Sequence, residues 1–106
     1  NVTLLSLVDV HGLPEEYALH QNYPNPFNPT TTLRYDLPED ATVSVVIYDM
    51  MGRQVRTLVS GQASAGYHST MWNATNDLGS SVSAGVYIYT IQAGQYRDVK
   101  KMILLK

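Results

Sequence analysis

From residue 30 onward, apolar and polar positions alternate along the chain with a period of two, which is typical of half-buried β-strands. No stretch keeps the i, i+3, i+4, i+7 spacing of an amphipathic helix. The alternation predicts strands at Thr30–Leu37, Thr42–Asp49, Gln54–Ser60, Tyr67–Asn73, Val86–Ala93 and Tyr96–Leu105. Counting the segment before them, about seven strands are expected, at the spacing of an antiparallel sandwich. The pattern therefore predicts an all-β domain.

The second of these strands is apolar on both faces. Val43, Val45 and Ile47 occupy one face, and Val46 and Tyr48 lie on the other. A strand with two apolar faces fits the centre of a sheet, so we expect it to be central. The side chains expected in the core are Leu33, Tyr35, Val45, Ile47, Trp72 and Ile88.

Small and polar residues separate the predicted strands. Met50–Arg53 is predicted to be a hairpin turn in which Gly52 supplies the left-handed residue. Gly61–Gly66 is expected to be a loop, and Ala74–Gly85 a long connection of the kind that crosses between sheets. The last hairpin is expected to turn around Gly94.

A proline-rich run, from Gln21 to Thr32, precedes the first long strand. Its three prolines fix their own φ angles, remove backbone donors and exclude helix. Its asparagines can hydrogen-bond the local backbone, and its two aromatic residues can pack on a core. We therefore predict that the run docks against one end of the sandwich as a structural plug, through Tyr23, Pro24, Asn25, Pro26 and Phe27.

Composition limits the possible functions. The 106 residues suffice for one domain, and the absence of cysteine excludes disulfides and a thiol nucleophile. A net charge of −2 provides no basic field for nucleic acid. The apolar run Val2–Val8 is too short for a membrane helix, which needs about 20 residues. It also lacks the basic start of a signal peptide, so the sequence is expected to be a fragment from the end of a longer protein.

Catalytic and metal-binding patterns are weak. The three histidines are far apart in sequence, and no serine has a nucleophile-elbow context. Asn76 and Asp77 offer oxygen ligands but lack the series of a calcium loop, so a turn is the favoured interpretation. The sequence thus predicts no enzymatic activity, no cofactor and no metal. The eight tyrosines and one tryptophan leave sugar binding as an alternative.

Five separate segments, in this order, carry a family resemblance. They are Leu19–Thr32, Tyr48–Arg53, Gly66–His68 with Trp72, Ala84–Tyr87 and Lys101–Lys106. Together they resemble the C-terminal sorting domain (type A) of cargo of the bacterial type IX secretion system, and also the related immunoglobulin-like domain of the flagellar hook-capping protein. The resemblance implies a single immunoglobulin-like β-sandwich over residues 13–106. Residues 1–12 are then either a linker or an additional N-terminal strand.

The resemblance also implies a function. Such a domain is a non-catalytic address that takes an exported protein from the periplasm through the outer-membrane translocon. A sortase-like surface protease commonly removes it, so the protein is expected to be secreted or held on the cell surface. The residues implied in recognition are Gly52, Arg53, Gly85, Tyr87, Lys101 and Lys106. The alternatives are a polysaccharide-binding module and a structural domain of the hook-capping type; an exposed edge strand could also support a weak homodimer.

Overall fold

A computed structural model describes residues 12–105 of the chain. Lys106 lies outside the described residues, and so do residues 1–11, for which a linker or an additional strand was predicted. The described residues form seven strands: β1 (Ala18–Leu19), β2 (Thr31–Leu37), β3 (Ala41–Asp49), β4 (Gln54–Ala63), β5 (Gly66–Trp72), β6 (Gly85–Ala93) and β7 (Tyr96–Leu104). They make a three-stranded sheet in the order β1-β2-β5 and a four-stranded sheet in the order β4-β3-β6-β7. All pairings between these seven strands are antiparallel, which confirms the predicted all-β sandwich. Residues 12–105 contain no helix long and apolar enough to cross a membrane.

The central position predicted for the second long strand is confirmed. β3 lies between β4 and β6, and Val43, Val45 and Ile47 on its inner face are at most 1% exposed. One predicted boundary differs by more than one residue: β4 continues through Gly61 to Ala63, where a loop was expected. Pairing with the start of β3 extends the strand, and glycine is tolerated there because β4 is an edge strand.

The core lies between the inner faces of the two sheets. Its largest fully buried side chains include Trp72, Tyr89, Phe27 and Leu33. Five of the six predicted core residues are buried, but Ile88 is not among them. β6 is apolar on both faces, so its alternation did not show which face points inward. The tyrosines flanking Ile88 take the inner face, and Ile88 lies half-buried on the outer one.

The proline-rich run docks on the sandwich, as predicted, but through one ring instead of two. Phe27 is 2% exposed, and its ring packs against Trp72 with centroids 5.8 Å apart. Tyr23 is 76% exposed, so the expectation that it is a second apolar anchor was wrong. Its backbone carries the contact: the Tyr23 and Thr32 amides each donate to the other's carbonyl, at 3.0 and 2.9 Å. Tyr23 thus contributes hydrogen bonds instead of buried area.

The run also covers the outer edge of β7. The Phe27 amide donates to the Ile103 carbonyl at 3.0 Å, and the Leu105 amide donates to the Phe27 carbonyl at 2.8 Å. The Asn25 side chain accepts from the Ile103 amide at 2.9 Å, and the Gln21 side chain donates to the Lys101 carbonyl at 2.8 Å. These bonds satisfy edge groups that would otherwise be open to another strand.

A buried polar network fixes the start of the run. The Tyr89 hydroxyl accepts from the Asn22 amide at 2.8 Å and donates to the His20 carbonyl at 2.7 Å. The Asn22 side chain donates to the Thr31 hydroxyl at 3.0 Å and to the Pro24 carbonyl at 3.2 Å. Asn22 is 2% exposed, and its bonds meet the requirement that buried polar groups be paired.

Replacing Phe27 with alanine should lower the free energy of unfolding by about 3–5 kcal/mol, because a buried ring is lost and a cavity remains. Urea unfolding measures this change, and Tyr23→Ala is the matched control. Since Tyr23 is exposed, its substitution should change the free energy by no more than about 0.5 kcal/mol. Equal effects of the two substitutions would show that the Phe27 ring does not anchor the run.

Stability should also fall at alkaline pH, in a way that depends on Tyr89. Burial raises the pKa of Tyr89 to about 12, from an ordinary value of 10.0. Between these two pH values the unfolded chain releases a proton that the folded chain retains, so stability decreases as the pH rises. Tyr89→Phe lacks this loss but leaves the Asn22 amide without its acceptor, which costs about 1–3 kcal/mol at neutral pH.

The difference in free energy of unfolding between wild type and Tyr89→Phe should therefore be smaller at about pH 11 than at neutral pH. Urea unfolding at these two pH values measures it. A gap that stays constant with pH would contradict a raised pKa for this hydroxyl.

Candidate functional site

The turn between β3 and β4 is built around Asp49. Gly52 has a φ of 83°, the left-handed conformation predicted for it. The Asp49 carboxylate accepts from the amides of Met51 and Arg53, both at 2.9 Å, and the Gly52 amide donates to the Asp49 carbonyl at 3.0 Å. The turn is therefore held by a dense set of local hydrogen bonds.

Arg53 is oriented by the same carboxylate. Its Nε donates to Asp49 Oδ2 at 2.8 Å, while 74% of its side chain is exposed. The pKa of Asp49 lies below its ordinary value, mainly because the Arg53 backbone donates to it, with further contributions from the Arg53 side chain and the Met51 amide. Arg53 thus presents a guanidinium from a fixed position, with donors left for a second carboxylate or a carbonyl.

The turn and the start of β6 line one cleft of about 450 Å³. Met50, Met51 and Arg53 form one wall, and Gly85 and Val86 belong to the other. The two methionines are 59% and 78% exposed, and flexible methionine side chains suit contact with a partner. The structure therefore brings together two segments that are 32 residues apart in sequence, between Arg53 and Gly85.

Gly85 lies at a φ of 150°, a region that favours glycine, so the chain can change direction as it enters β6. Tyr87, two residues later, is only 5% exposed. Its side chain, implied in recognition by the resemblance, therefore has little exposed surface to offer a receptor. Its ring packs edge-on against Trp72 at 5.3 Å, and its hydroxyl donates to the Ser83 carbonyl at 2.5 Å. Tyr87 therefore lines the cleft next to Gly85 and Val86, but it leaves little of its ring exposed there.

Lys101 lies on the outer face of the four-stranded sheet. It pairs with Ile88, and Ile88 pairs with Tyr48, the residue before Asp49 in β3. Lys101 therefore lies one residue position along the sheet from Asp49. Its side chain is exposed. Lys101 is therefore near the end of the sheet that carries the turn, but it does not line the cleft. Lys106 lies outside the described residues.

The polar side chains considered for chemistry have structural partners. Asn76 accepts from the amides of Leu78 and Ser80, both at 3.0 Å, which confirms a turn. Asp77 accepts from the Thr57 amide at 3.0 Å and so covers the edge of β4. Within residues 12–105, no three His, Asp or Glu side chains are grouped as metal ligands would be.

Several aromatic residues offer no surface for a sugar, whereas Tyr23 and Tyr67 are 76% and 64% exposed. Tyr35, Trp72, Tyr87 and Tyr89 are all at most 5% exposed, so their rings cannot stack on a ligand. The ring of His68 stacks on that of Tyr35, with centroids 5.3 Å apart, and His68 bonds to the Ser64 carbonyl at 2.7 Å. These contacts indicate structural roles for the inner aromatic residues.

Sequence reasoning missed Asp49 and the two exposed methionines. One signal could have identified Asp49: aspartate at the first position of a turn and glycine at the fourth is a common pattern, and Asp49 and Gly52 match it. The methionines carried no comparable signal, because exposure depends on how the turn projects from the sheet.

The Asp49 carboxyl should titrate below its ordinary value of 3.8 and move upward in Arg53→Ala. Because the pKa is lowered on folding, the carboxylate contributes stability above the ordinary value, and that contribution is lost as the pH falls through the folded pKa. Carboxyl NMR measures the titration midpoint of Asp49 in the wild type and in Arg53→Ala. The alanine variant keeps the backbone donor, so part of the lowering should remain; Arg34→Ala, on the other sheet, should leave Asp49 unchanged. An unaltered Asp49 midpoint in Arg53→Ala would show that the side chain does not hold this carboxylate.

The fold is similar to domains of several solved proteins. Dimeric latent PorU from Porphyromonas gingivalis matches 87% of this chain, over 10% of its own length, with a TM-score of 0.65 and 23% identity. PorZ, a surface component of the type IX secretion system of the same organism, matches 87% of this chain over 12% of its own, with a TM-score of 0.56 and 22% identity. The chain thus spans about a tenth of these two proteins, and the likeness establishes the fold.

FlgD from P. aeruginosa matches 74% of the chain over 67% of its own, with a TM-score of 0.56 and 23% identity. A search of curated proteins finds no match to the sequence. The sequence model of the FlgD Ig-like domain, however, matches residues 27–96, from the buried Phe27 of the run to the start of β7. The chain therefore belongs to the FlgD Ig-like domain family.

Proposed function

We propose that the chain is a non-catalytic sorting domain, which directs an exported bacterial protein through the type IX translocon to the cell surface. The observation that carries the proposal is the cleft in which the Gly52-Arg53 turn meets the start of β6 at Gly85. These are two of the segments on which the sequence resembles sorting domains. The likeness in fold to PorU and PorZ adds support.

The geometry suits recognition by a receptor. Asp49 holds the Nε atom of Arg53, so the guanidinium loses little side-chain freedom when it binds a receptor. Met50 and Met51 add apolar, adaptable surface beside it. The partners on this proposal are the translocon and a sortase-like surface protease, and the protein is secreted or surface-held after passage through the periplasm.

The domain itself requires no catalytic group or cofactor for this role. An address works by being bound, and a rigid sandwich holds its turns and strand ends in fixed relative positions. Gly52, Arg53 and Gly85 would shape and present the binding surface, whereas Tyr87, which is mostly buried where it lines the cleft, would act mainly by supporting Ser83. Lys101 would contribute from the adjacent face.

A structural domain of the hook-capping type is the second candidate. The match of residues 27–96 to the FlgD Ig-like domain favours it directly. Replacing the Ig-like domain of a hook-capping protein with this chain and scoring hook assembly tests it. Polysaccharide binding has less support, because Trp72 and three of the eight tyrosines are buried.

A periplasmic reporter fused to the complete 106-residue chain should reach the surface of a host that has the type IX machinery. Arg53→Ala should reduce the surface fraction about tenfold, which corresponds to about 1.4 kcal/mol of lost binding. Surface proteolysis and quantitative blotting measure the fraction. Arg34→Ala is the matched control, since Arg34 is also exposed but lies on β2.

Each variant should first be shown to unfold in urea like the wild type. Retention of the wild-type fusion in the periplasm would contradict the sorting proposal. Rescue of hook assembly in the domain replacement would then favour the hook-capping candidate.

A further inference from the structure

We call the side of the four-stranded sheet that points away from the core the outer face. It carries an exposed apolar surface. On β6 and β7, Val86 pairs with Ile103, and Thr90 pairs with Val99. Val86, Ile103 and Val99 are 37%, 41% and 57% exposed. Half-buried side chains on β3 and β6 continue the surface; they are Val46, Tyr48 and Ile88.

Charge on the outer face has one sign. Arg97 and Lys101 are exposed there, at alternate positions of β7 with Val99 between them. The acids of the described segment lie elsewhere, on loops and turns or on the opposite faces of strands: Glu15, Glu16, Asp36, Glu39, Asp40, Asp49, Asp77 and Asp98. A chain with a net charge of −2 therefore has a locally cationic face.

The edges of this sheet are partly closed to strand addition. The proline-rich run occupies the outer edge of β7 at Ile103 and Leu105. At the other edge, Asp77 bonds to the Val55 carbonyl and the Thr57 amide of β4. A partner that approaches the sheet here therefore meets side chains of the face and not free backbone groups.

The outer face adjoins the candidate cleft. Val86 belongs to both, since it lines the cleft and pairs with Ile103 across the face. Four strands about 4.8 Å apart make the outer face about 20 Å wide, and its side chains extend about 20 Å along the strands. Its area is therefore about 400 Å². This is the size of a weak, transient protein contact.

We propose that the outer face is the docking surface for a protein of the export machinery that presents apolar side chains and carboxylates opposite Arg97 and Lys101. This deepens the proposed sorting function and rests on it. The apolar rows supply buried area, and the two cations supply orientation and selection for an acidic partner. Transient contact suits a cargo address, which must be bound and then released.

Charge and size argue against two other occupants. A second copy would bring the same two cations and no carboxylate from this face to pair with them. Two cations attract anionic lipid only weakly, and the exposed apolar side chains here are too small to insert deeply into a bilayer. The face therefore fits a partner with acidic groups better than it fits itself or a membrane.

The test uses the full-chain reporter fusion and reverses the charge of the face. The double variant Arg97→Glu with Lys101→Glu should lower surface delivery at least tenfold, whereas Arg97→Lys with Lys101→Arg should stay within twofold of wild type. Arg34→Glu, on the other sheet, is the control and should also stay within twofold. All altered side chains are exposed, so urea midpoints near that of the wild type are expected.

Val99→Asp provides a second variant that adds one carboxylate to the apolar row, and it should also lower delivery. If the wild-type fusion is delivered and both carboxylate variants are delivered equally well, this inference is overturned while the sorting function stands. If the wild-type fusion is not delivered, the sorting function and this inference fail together.

Two further measurements examine the other occupants with the purified chain. Sedimentation equilibrium should show a monomer, and flotation with phosphatidylglycerol vesicles should show no binding. A dimer abolished by the double charge reversal would assign the face to a second copy, and vesicle binding abolished by it would assign the face to a membrane. Either result would overturn the proposal.

Discussion

The contact between the proline-rich run and the edge of β7 is the constraint on which the rest of the molecule depends. It satisfies edge groups from Lys101 to Leu105 and carries the Phe27 ring into the space between the sheets. Phe27 packs on Trp72, Trp72 packs on Tyr87, and Tyr87 bonds to Ser83 beside the cleft. A continuous series of packed rings therefore joins the run to the candidate recognition surface.

This series separates residues that contact a partner from residues that shape the surface. Arg53 is exposed on one wall of the cleft, whereas Tyr87 is buried in the other wall, at the start of β6. Both residues lie in segments that resemble sorting domains and both line the cleft, yet they differ in how much surface they expose. A loss of function on changing Tyr87 would reflect movement of Ser83 and Gly85, whereas changing Arg53 removes a contact directly.

Much of the fold could be predicted from the sequence because period-two alternation and turn residues are local signals. The central position of β3 followed from its two apolar faces, and the Gly52 turn followed from one glycine. Ile88 shows the limit: where both faces of a strand are apolar, alternation gives the spacing but not the direction. Tyr23 shows another, because an aromatic residue in a docked run can bond through its backbone and leave its ring in solvent.

The candidate site was harder to predict because it is assembled from distant segments. Nothing local to Arg53 or Gly85 indicates that they share a cleft, which depends on the pairing of β3 with β6. The outer face was likewise hidden, since the acids absent from it are spread over the whole sequence. Segregation of charge becomes visible only when strands are placed side by side.

The closure of β7 by the run also affects when the domain can fold. The contacts of Gln21 and Asn25 with this strand span about 80 residues of sequence. Contacts of such long range form late, whereas the β3–β4 and β6–β7 hairpins can form locally. During synthesis, the first and last parts of the sandwich can meet only after residues 101–105 have emerged from the ribosome. The sandwich thus remains open, and accessible to chaperones, until β7 has been made.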